Sequence, residues 1–269
     1  MPFRLRILVL TFSFFVAVGC SRERAALSGL TAPEESEGVK RAPFTIRENE
    51  HLKFSIRWLG FEFGTAEVRT EKMEQIRGRD AYHISVHVRS NKLIDLVYPV
   101  RDEHHSYIDV EHFHSLRYEK ILREGRYRAD EVMEFDQDRH TATYYSRLNG
   151  TKKQMFIPKH VQDQLSAAYW LRVQAMKPGE SVYIPVNTDE RNWNLEVRVL
   201  RSVKKEITGL GTFDALEIEP RAQFQGMFVR RGKFWGWMSV DEKRLPLTMR
   251  SKIPVLGSVS ITLVSYEPR

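Results

Sequence analysis

The chain has 269 residues, of which 42% are hydrophobic and 11% aromatic, and 42 Lys and Arg against 35 Asp and Glu give a formal net charge of +7. Basic and acidic residues are interleaved and form no basic stripe, which argues against nucleic-acid binding. The chain contains a single cysteine, Cys20, so no intramolecular disulfide can staple the fold. A chain of this length can bury a sizeable core in one large domain or two small ones.

The N-terminal segment has the pattern of a bacterial lipoprotein signal peptide. Arg4 and Arg6 precede an apolar run over residues 7–18, and small side chains lead directly to Cys20. We therefore predict a signal peptide over residues 1–19 and lipid attachment at Cys20, whose acyl chains would anchor the protein in a membrane. The alternatives are a secreted protein in which Cys20 stays a free thiol, or an uncleaved signal anchor.

Residues 20–48 are polar and aperiodic, which predicts a lipidated cysteine followed by a flexible tether. Ser21 stands where lipoproteins that stay in the inner membrane often carry Asp, so we expect an outer-membrane lipoprotein facing the periplasm. The mild positive charge suits anionic headgroups, lipopolysaccharide or peptidoglycan, and does not choose among them.

Residues 49–269 are predicted to form a single β-rich domain. From His51 the chain alternates with period two, so that Leu52, Phe54, Ile56 and Trp58 share one face of a strand. About a dozen similar segments follow. They predict a mainly β fold with a curved antiparallel sheet, either a half-barrel or a two-layer arrangement.

Two local signals stand out within this domain. Asn149-Gly150 lies between two alternating runs and predicts a β-hairpin. Residues 161–176 have the apolar spacing of an α-helix, which Pro178-Gly179 would end. This is the principal helix of the predicted fold.

Four segments carry a family resemblance: residues 95–102, 106–109, 162–172 and 241–246. They resemble the uncharacterised bacterial envelope family known as domain of unknown function 3108, over most of residues 45–267. The resemblance implies an exported β-rich protein without an established activity. The stretch 240–247 is also similar to hairpins of periplasmic lipid and lipoprotein carriers, an analogy of shape only.

Catalytic motifs are scarce. The sequence has no Gly-x-Ser-x-Gly motif, no His-Glu-x-x-His motif and no paired cysteines. The residues that serine hydrolases, zinc proteases of this type and thiol-redox proteins need are therefore missing, and no cofactor is predicted. His104, His105, His112 and His114 lie among acidic residues. On a strand, His112 and His114 would share a face about 7 Å apart, which makes them weak candidates for a metal site. The alternative is a polar turn with solvated imidazoles.

Aromatic side chains suggest a binding groove. The run from Phe234 to Trp237 places aromatics on both faces of one strand, which indicates either burial between layers or a face that lines a cavity. Arg172 would either hold an anion in that cavity or pair with sheet residues. The candidate groove residues are Trp58, Tyr169, Trp170, Arg172, Trp235 and Trp237.

Together these patterns favour a non-catalytic envelope lipoprotein that binds an amphiphile or glycan, or that supports envelope assembly together with an envelope protein partner. The alternatives are a metal-assisted envelope hydrolase built on the His104 to His114 region, and a purely structural scaffold with a filled core.

Overall fold

A computed structural model describes residues 46–224, 227–228, 232–253 and 257–267. The predicted signal peptide, Cys20 and nearly all of the predicted tether lie outside these described residues. Within them, neither helix has the length and apolar character that a membrane crossing would need.

The described residues form sixteen strands and two helices. In chain order they are β1 (His51–Trp58), β2 (Phe61–Thr70), β3 (Glu74–Ile76), β4 (Arg79–Ser90), α1 (Lys92–Asp95), β5 (Arg101–Asp109), β6 (Ser115–Glu124), β7 (Tyr127–Asp136), β8 (Thr141–Ser146), β9 (Lys152–Phe156), α2 (Gln164–Arg172), β10 (Ser181–Thr188), β11 (Arg191–Ile207), β12 (Gly211–Phe224), β13 (Met227–Phe228), β14 (Lys233–Ser239), β15 (Pro246–Ile253) and β16 (Gly257–Glu267).

The strands pair into one antiparallel sheet, so the predicted mainly β fold with a curved sheet is confirmed. The strand order is β10-β11-β12-β14-β15-β16-β1-β2-β4-β5-β6-β7-β8-β9, with β3 paired to β4 and β13 to β12. The sheet curls until its two ends meet: Asn192 Nδ2 donates to the carbonyl of Phe156 at 2.7 Å, and Lys153 pairs with Glu190 at 2.5 Å.

The period-two pattern determines which face of the sheet is buried. In β1, Leu52, Phe54 and Ile56 are buried, whereas Lys53 and Ser55 between them are partly exposed. The predicted hairpin is also present, because β8 and β9 pair across residues 147–151 and Gly150 has a φ of 72°. Glycine adopts that conformation without steric cost.

Helix α2 lies within the predicted range of about 161–176 but is shorter, since it spans Gln164–Arg172. At its start the Asp163 side chain accepts hydrogen bonds from the N–H groups of Leu165 at 2.7 Å and Ser166 at 2.9 Å, which forms an N-cap. At its end Arg244 donates to the carbonyls of Arg172 at 3.2 Å and Gln174 at 2.6 Å. The N-cap is local, whereas the Arg244 bonds come from a distant part of the chain that the local apolar pattern cannot reveal.

Helix α2 lies in the concave side of the sheet and joins its two halves. Leu165 and Tyr169 belong to a core cluster drawn mainly from β1, β2, β4 to β8, β15 and β16, whereas Ala167 and Leu171 belong to a cluster drawn mainly from β10 to β12. The helix is therefore buried on most of its circumference.

Candidate functional site

A cavity of about 140 Å³ lies between α2 and the concave face of the sheet. One side is formed by β1, β2 and β4, through residues such as Phe54 and Val86, and the other by β12 and β14 to β16, through residues such as Ile218 and Ile261. The helix contributes Gln164, Leu165, Ala168, Tyr169, Leu171 and Arg172. The wall is overwhelmingly apolar because nearly all of these positions are aliphatic or aromatic.

The structure brings four of the six predicted groove residues to this cavity, namely Tyr169, Arg172, Trp235 and Trp237. It does not bring the other two there. Trp58 ends β1, where it pairs with Val259 and Phe61. Trp170 follows Tyr169 on the helix and is turned by about 100° from it, so it packs against the two core clusters beside the cavity.

Five polar or charged side chains interrupt the apolar and aromatic wall, namely those of Gln164, Arg172, Thr248, Arg250 and Ser251. Oε1 of Gln164, Oγ1 of Thr248 and Oγ of Ser251 are buried, and within the described part of the chain none of them has a hydrogen-bond partner. A buried polar atom without a partner carries an uncompensated desolvation cost.

Arg172 pairs with another residue of the protein, which is the alternative to the anion-binding role considered for it from the sequence. Its guanidinium donates to both carboxylate oxygens of Glu50, at 2.7 and 2.6 Å, and to the carbonyls of Lys243 at 2.9 Å and Arg244 at 3.1 Å. Burial lowers the pKa of Arg172, but the hydrogen bonds and charge of Glu50 outweigh burial and the net pKa is raised. Arg172 therefore fastens the helix to the start of β1.

The four candidate histidines do not converge on one point. His104 is buried, with Nδ1 2.7 Å from the hydroxyl of Tyr118, and burial lowers its pKa to about 3. His105 lies on the opposite face of β5, with Nδ1 3.0 Å from Nε2 of His83. A hydrolase site that uses all four side chains is therefore not formed.

His112 and His114 lie together, but not on a strand as predicted. Residues 110–114 form the turn between β5 and β6, and the two imidazoles stack with ring centroids 5.4 Å apart. Asp109 joins them, and the ligand atoms of the three residues lie within 4.8 Å of one another. Burial lowers the pKa of His114 to about 4, so this imidazole is neutral at pH 7.

Sequence reasoning missed the polar residues of the cavity wall and the partners of α2. Thr248 and Ser251 lie in a strand that also carries Arg250 and Lys252, so its sequence did not single them out. Asp163 accepts hydrogen bonds from the hydroxyls of Ser106 at 2.6 Å and Ser115 at 2.5 Å. No local pattern reveals these two partners, because they come from β5 and β6.

The fold and the cavity define a class of mainly β protein in which one curved antiparallel sheet encloses a helix and a small apolar cavity. The chain belongs to the family described as "Protein of unknown function (DUF3108)", whose family model matches residues 53–264. This match confirms the family resemblance that the sequence segments indicated. No curated protein matches the chain at a significant level.

Three solved structures that match the chain come from bacteria. A beta-barrel-like protein of domain of unknown function DUF1849 from Brucella abortus has a TM-score of 0.55 and 8% identity, with 84% of this chain and 100% of that chain covered. A predicted lipoprotein of Parabacteroides distasonis has a TM-score of 0.38 and 7% identity, with coverages of 85% and 99%. A predicted exported protein with a YmcC-like fold from Bacteroides fragilis has a TM-score of 0.32 and 9% identity, with coverages of 83% and 98%. The first likeness concerns the fold alone, and the other two are too weak to carry an argument.

Proposed function

We propose that this protein is a non-catalytic lipoprotein of the bacterial envelope, anchored in the outer membrane through Cys20, that binds the apolar chain of an amphiphile between α2 and the sheet. The charged, apolar and small-residue order before Cys20 supports export and acylation. Anchoring by acyl chains keeps the domain next to a membrane that supplies such ligands.

The apolar cavity is the observation that carries this proposal. Its volume of about 140 Å³ is close to that of an engineered cavity of about 150 Å³ that binds benzene. It is smaller than the roughly 300 to 1,000 Å³ of pockets for drug-sized ligands. The cavity therefore fits a short stretch of one acyl chain and not a whole lipid with several chains.

The chemistry of the wall favours an amphiphile over a glycan. A sugar needs many hydrogen-bond partners, whereas this wall is predominantly apolar. Apart from its aromatic residues, its polar or charged side chains are those of Gln164, Arg172, Thr248, Arg250 and Ser251. Burial of roughly five CH₂ groups would contribute about 4 kcal/mol, which corresponds to a millimolar dissociation constant. A lipid that stays bound through purification must bind more tightly than this, so contacts of its polar end would have to add to the burial of its chain.

The test is native mass spectrometry of the full chain, purified from the bacterial envelope in detergent and released from micelles in the instrument. The wild-type protein is expected to carry a reproducible non-covalent lipid in addition to its covalent acyl chains. Ala168 lines the cavity, so Ala168→Trp should remove that lipid. Ala175 is exposed just beyond the helix, and Ala175→Trp is the matched control that should retain it.

Two outcomes would oppose the proposal. A wild-type protein that carries only its covalent acyl chains would favour the structural scaffold, in which the small cavity stays empty. A lipid retained equally by Ala168→Trp would place the binding elsewhere. Anchoring is tested separately, because Cys20→Ser should abolish acylation without any change in the cavity.

A further inference from the structure

The turn between β5 and β6 builds a compact cluster of metal-ligating groups, remote in sequence from the cavity-lining strands. The carboxylate of Asp109 accepts hydrogen bonds from the N–H groups of Glu111 at 2.9 Å and His112 at 2.7 Å. Phe113 adopts a φ of 57°, and its N–H donates to the carbonyl of Asp109 at 3.0 Å. This tight turn holds His112 and His114 on the same side as Asp109.

His114 supplies an independent sign of a missing partner. Its side chain is only 4% exposed, and Nε2, which lies 4.0 Å from Oδ2 of Asp109, has no hydrogen-bond partner among the described residues. Nearly all buried polar atoms in proteins are bonded, so this nitrogen is an exception that needs an explanation. A cation between His114 and Asp109 would use the nitrogen lone pair.

The other nitrogen of His114 has the surroundings that a metal ligand needs. Nδ1 lies 3.2 Å from Nδ1 of His160, so a proton on His114 Nδ1 leaves Nε2 with its lone pair. Metal-binding histidines commonly donate their second N–H to a neighbouring acceptor, which fixes the tautomer and the ring orientation. His160 would then act as a positioning residue.

We propose that Asp109, His112 and His114 bind a divalent transition-metal ion of the zinc type. Two imidazoles and one carboxylate form a ligand set that zinc accepts, with the remaining position open to water. The His112 side chain is 41% exposed, so this side of the site is open to solvent. This site is separate from the apolar cavity and does not depend on the proposed lipid binding.

Binding requires two adjustments. Ligand atoms around tetrahedral zinc lie about 3.4 Å apart, given bonds near 2.1 Å, whereas these atoms are spread over as much as 4.8 Å. The exposed ring of His112 can turn inward to close that gap. Arg79 lies 3.4 Å from Oδ2 of Asp109, but it also pairs with Asp138 at 2.8 Å and so keeps a partner when the metal binds.

The test is isothermal titration of Zn²⁺ into the full chain, purified without a polyhistidine tag and stripped with a chelator. The wild-type protein should bind one equivalent, and His112→Ala should weaken binding at least tenfold. His51 is a partly exposed histidine that also pairs with a carboxylate, Glu67 at 3.3 Å, so His51→Ala is the matched control and should bind normally. Asp109→Asn, which keeps the acceptor oxygen of the turn, is a second variant that should bind weakly.

Co²⁺ provides a readout that reports on the ligands themselves. The wild-type protein should show visible absorption bands of low-coordinate Co²⁺, and these bands should be lost in His112→Ala. Absence of saturable binding at one equivalent, absence of the bands, or equal affinity of His112→Ala and wild type would each overturn the proposal. Circular dichroism melting curves verify that each variant is folded.

Discussion

Arg172 and Glu50 form a two-pronged ion pair, with Nη1 to Oε2 at 2.7 Å and Nη2 to Oε1 at 2.6 Å, although 122 positions separate them in the chain. The side chain of Arg172 is 4% exposed and that of Glu50 is 14% exposed. The pair connects the end of α2 to the start of β1, so it holds the helix in the sheet beside the cavity. Loss of one partner would leave a charge buried without compensation.

Glu50→Ala is therefore expected to lower the free energy of unfolding by about 3 to 5 kcal/mol, as is typical when one half of a buried pair is removed. Urea unfolding of the full chain measures this change. The control is Glu67→Ala, because Glu67 is 31% exposed and pairs with Arg69 at the surface, where a pair contributes about 1 kcal/mol or less. Equal effects of the two substitutions would contradict the structural role of Arg172.

The N-cap of α2 gives a second prediction. Asp163→Ala removes the carboxylate that accepts hydrogen bonds from the N–H groups of Leu165 and Ser166. It also leaves the buried hydroxyls of Ser106 and Ser115 without their acceptor, so we expect the free energy of unfolding to fall by about 3 kcal/mol. Asn91 caps the short exposed helix α1 in the same way but has no buried hydroxyl partners of this kind. Asn91→Ala should therefore lower the unfolding free energy by only about 1 kcal/mol. An equal loss in both variants, measured by urea unfolding, would be inconsistent with this account.

A pair of buried carboxyl groups predicts how stability depends on pH. Burial raises the pKa values of Asp102 and Glu124, and each carboxyl also interacts with the other. Because the folded state holds these protons more tightly than the unfolded chain, the pair's contribution is fully present below the ordinary carboxyl pKa and is lost as pH rises through the raised values. The pair alone should therefore make the melting temperature fall as pH rises from the acidic into the neutral range. His104 and His114, whose pKa values burial lowers, act in the opposite direction, so this fall is measured as the difference between the wild type and a variant of the pair.

Glu124→Gln should reduce that fall, since a neutral amide cannot become a second buried negative charge. Glu103 is the neighbouring control, because it pairs with Arg123 at the surface and is 34% exposed. Glu103→Gln should keep the wild-type pH profile in thermal unfolding. A wild-type slope in Glu124→Gln would show that this pair does not control the pH dependence.

The unpartnered hydroxyl of Thr248 gives a fourth prediction. Thr248→Val keeps the shape of the side chain and removes a buried polar atom without a partner, so the ligand-free protein should gain about 1 kcal/mol of stability. Thr188 is the matched opposite, because its hydroxyl accepts a hydrogen bond from Gln164. Thr188→Val should destabilise the protein. Thermal unfolding compares the two, and destabilisation by Thr248→Val would indicate that its hydroxyl has a partner.

The strands could be predicted well because period-two alternation is a local property of the sequence. It shows which side chains of each strand face the core. The Leu52 to Ile56 face and the hairpin at Gly150 are examples. The helix was predicted in place but not in length, because its ends depend on Asp163 and Arg244, which bond across the fold.

The candidate site was predicted less completely, for the same reason. Aromatic content indicated a groove, yet one helical step of about 100° separates Tyr169, which lines the cavity, from Trp170, which does not. The pairing of Arg172 with Glu50 depends on strand order, which no local pattern encodes. His112 and His114 were expected on a strand, but the Asp109 turn brings them together instead.

The most direct measurement of the central claim, that an amphiphile's chain occupies the cavity, is photo-crosslinking of the purified full chain with a fatty acid that carries a diazirine on its chain. Adducts are expected on peptides that contain α2 or β14, with yields reduced by Ala168→Trp and unchanged by Ala175→Trp. Adducts spread over the surface, with equal yields in both variants, would contradict the claim.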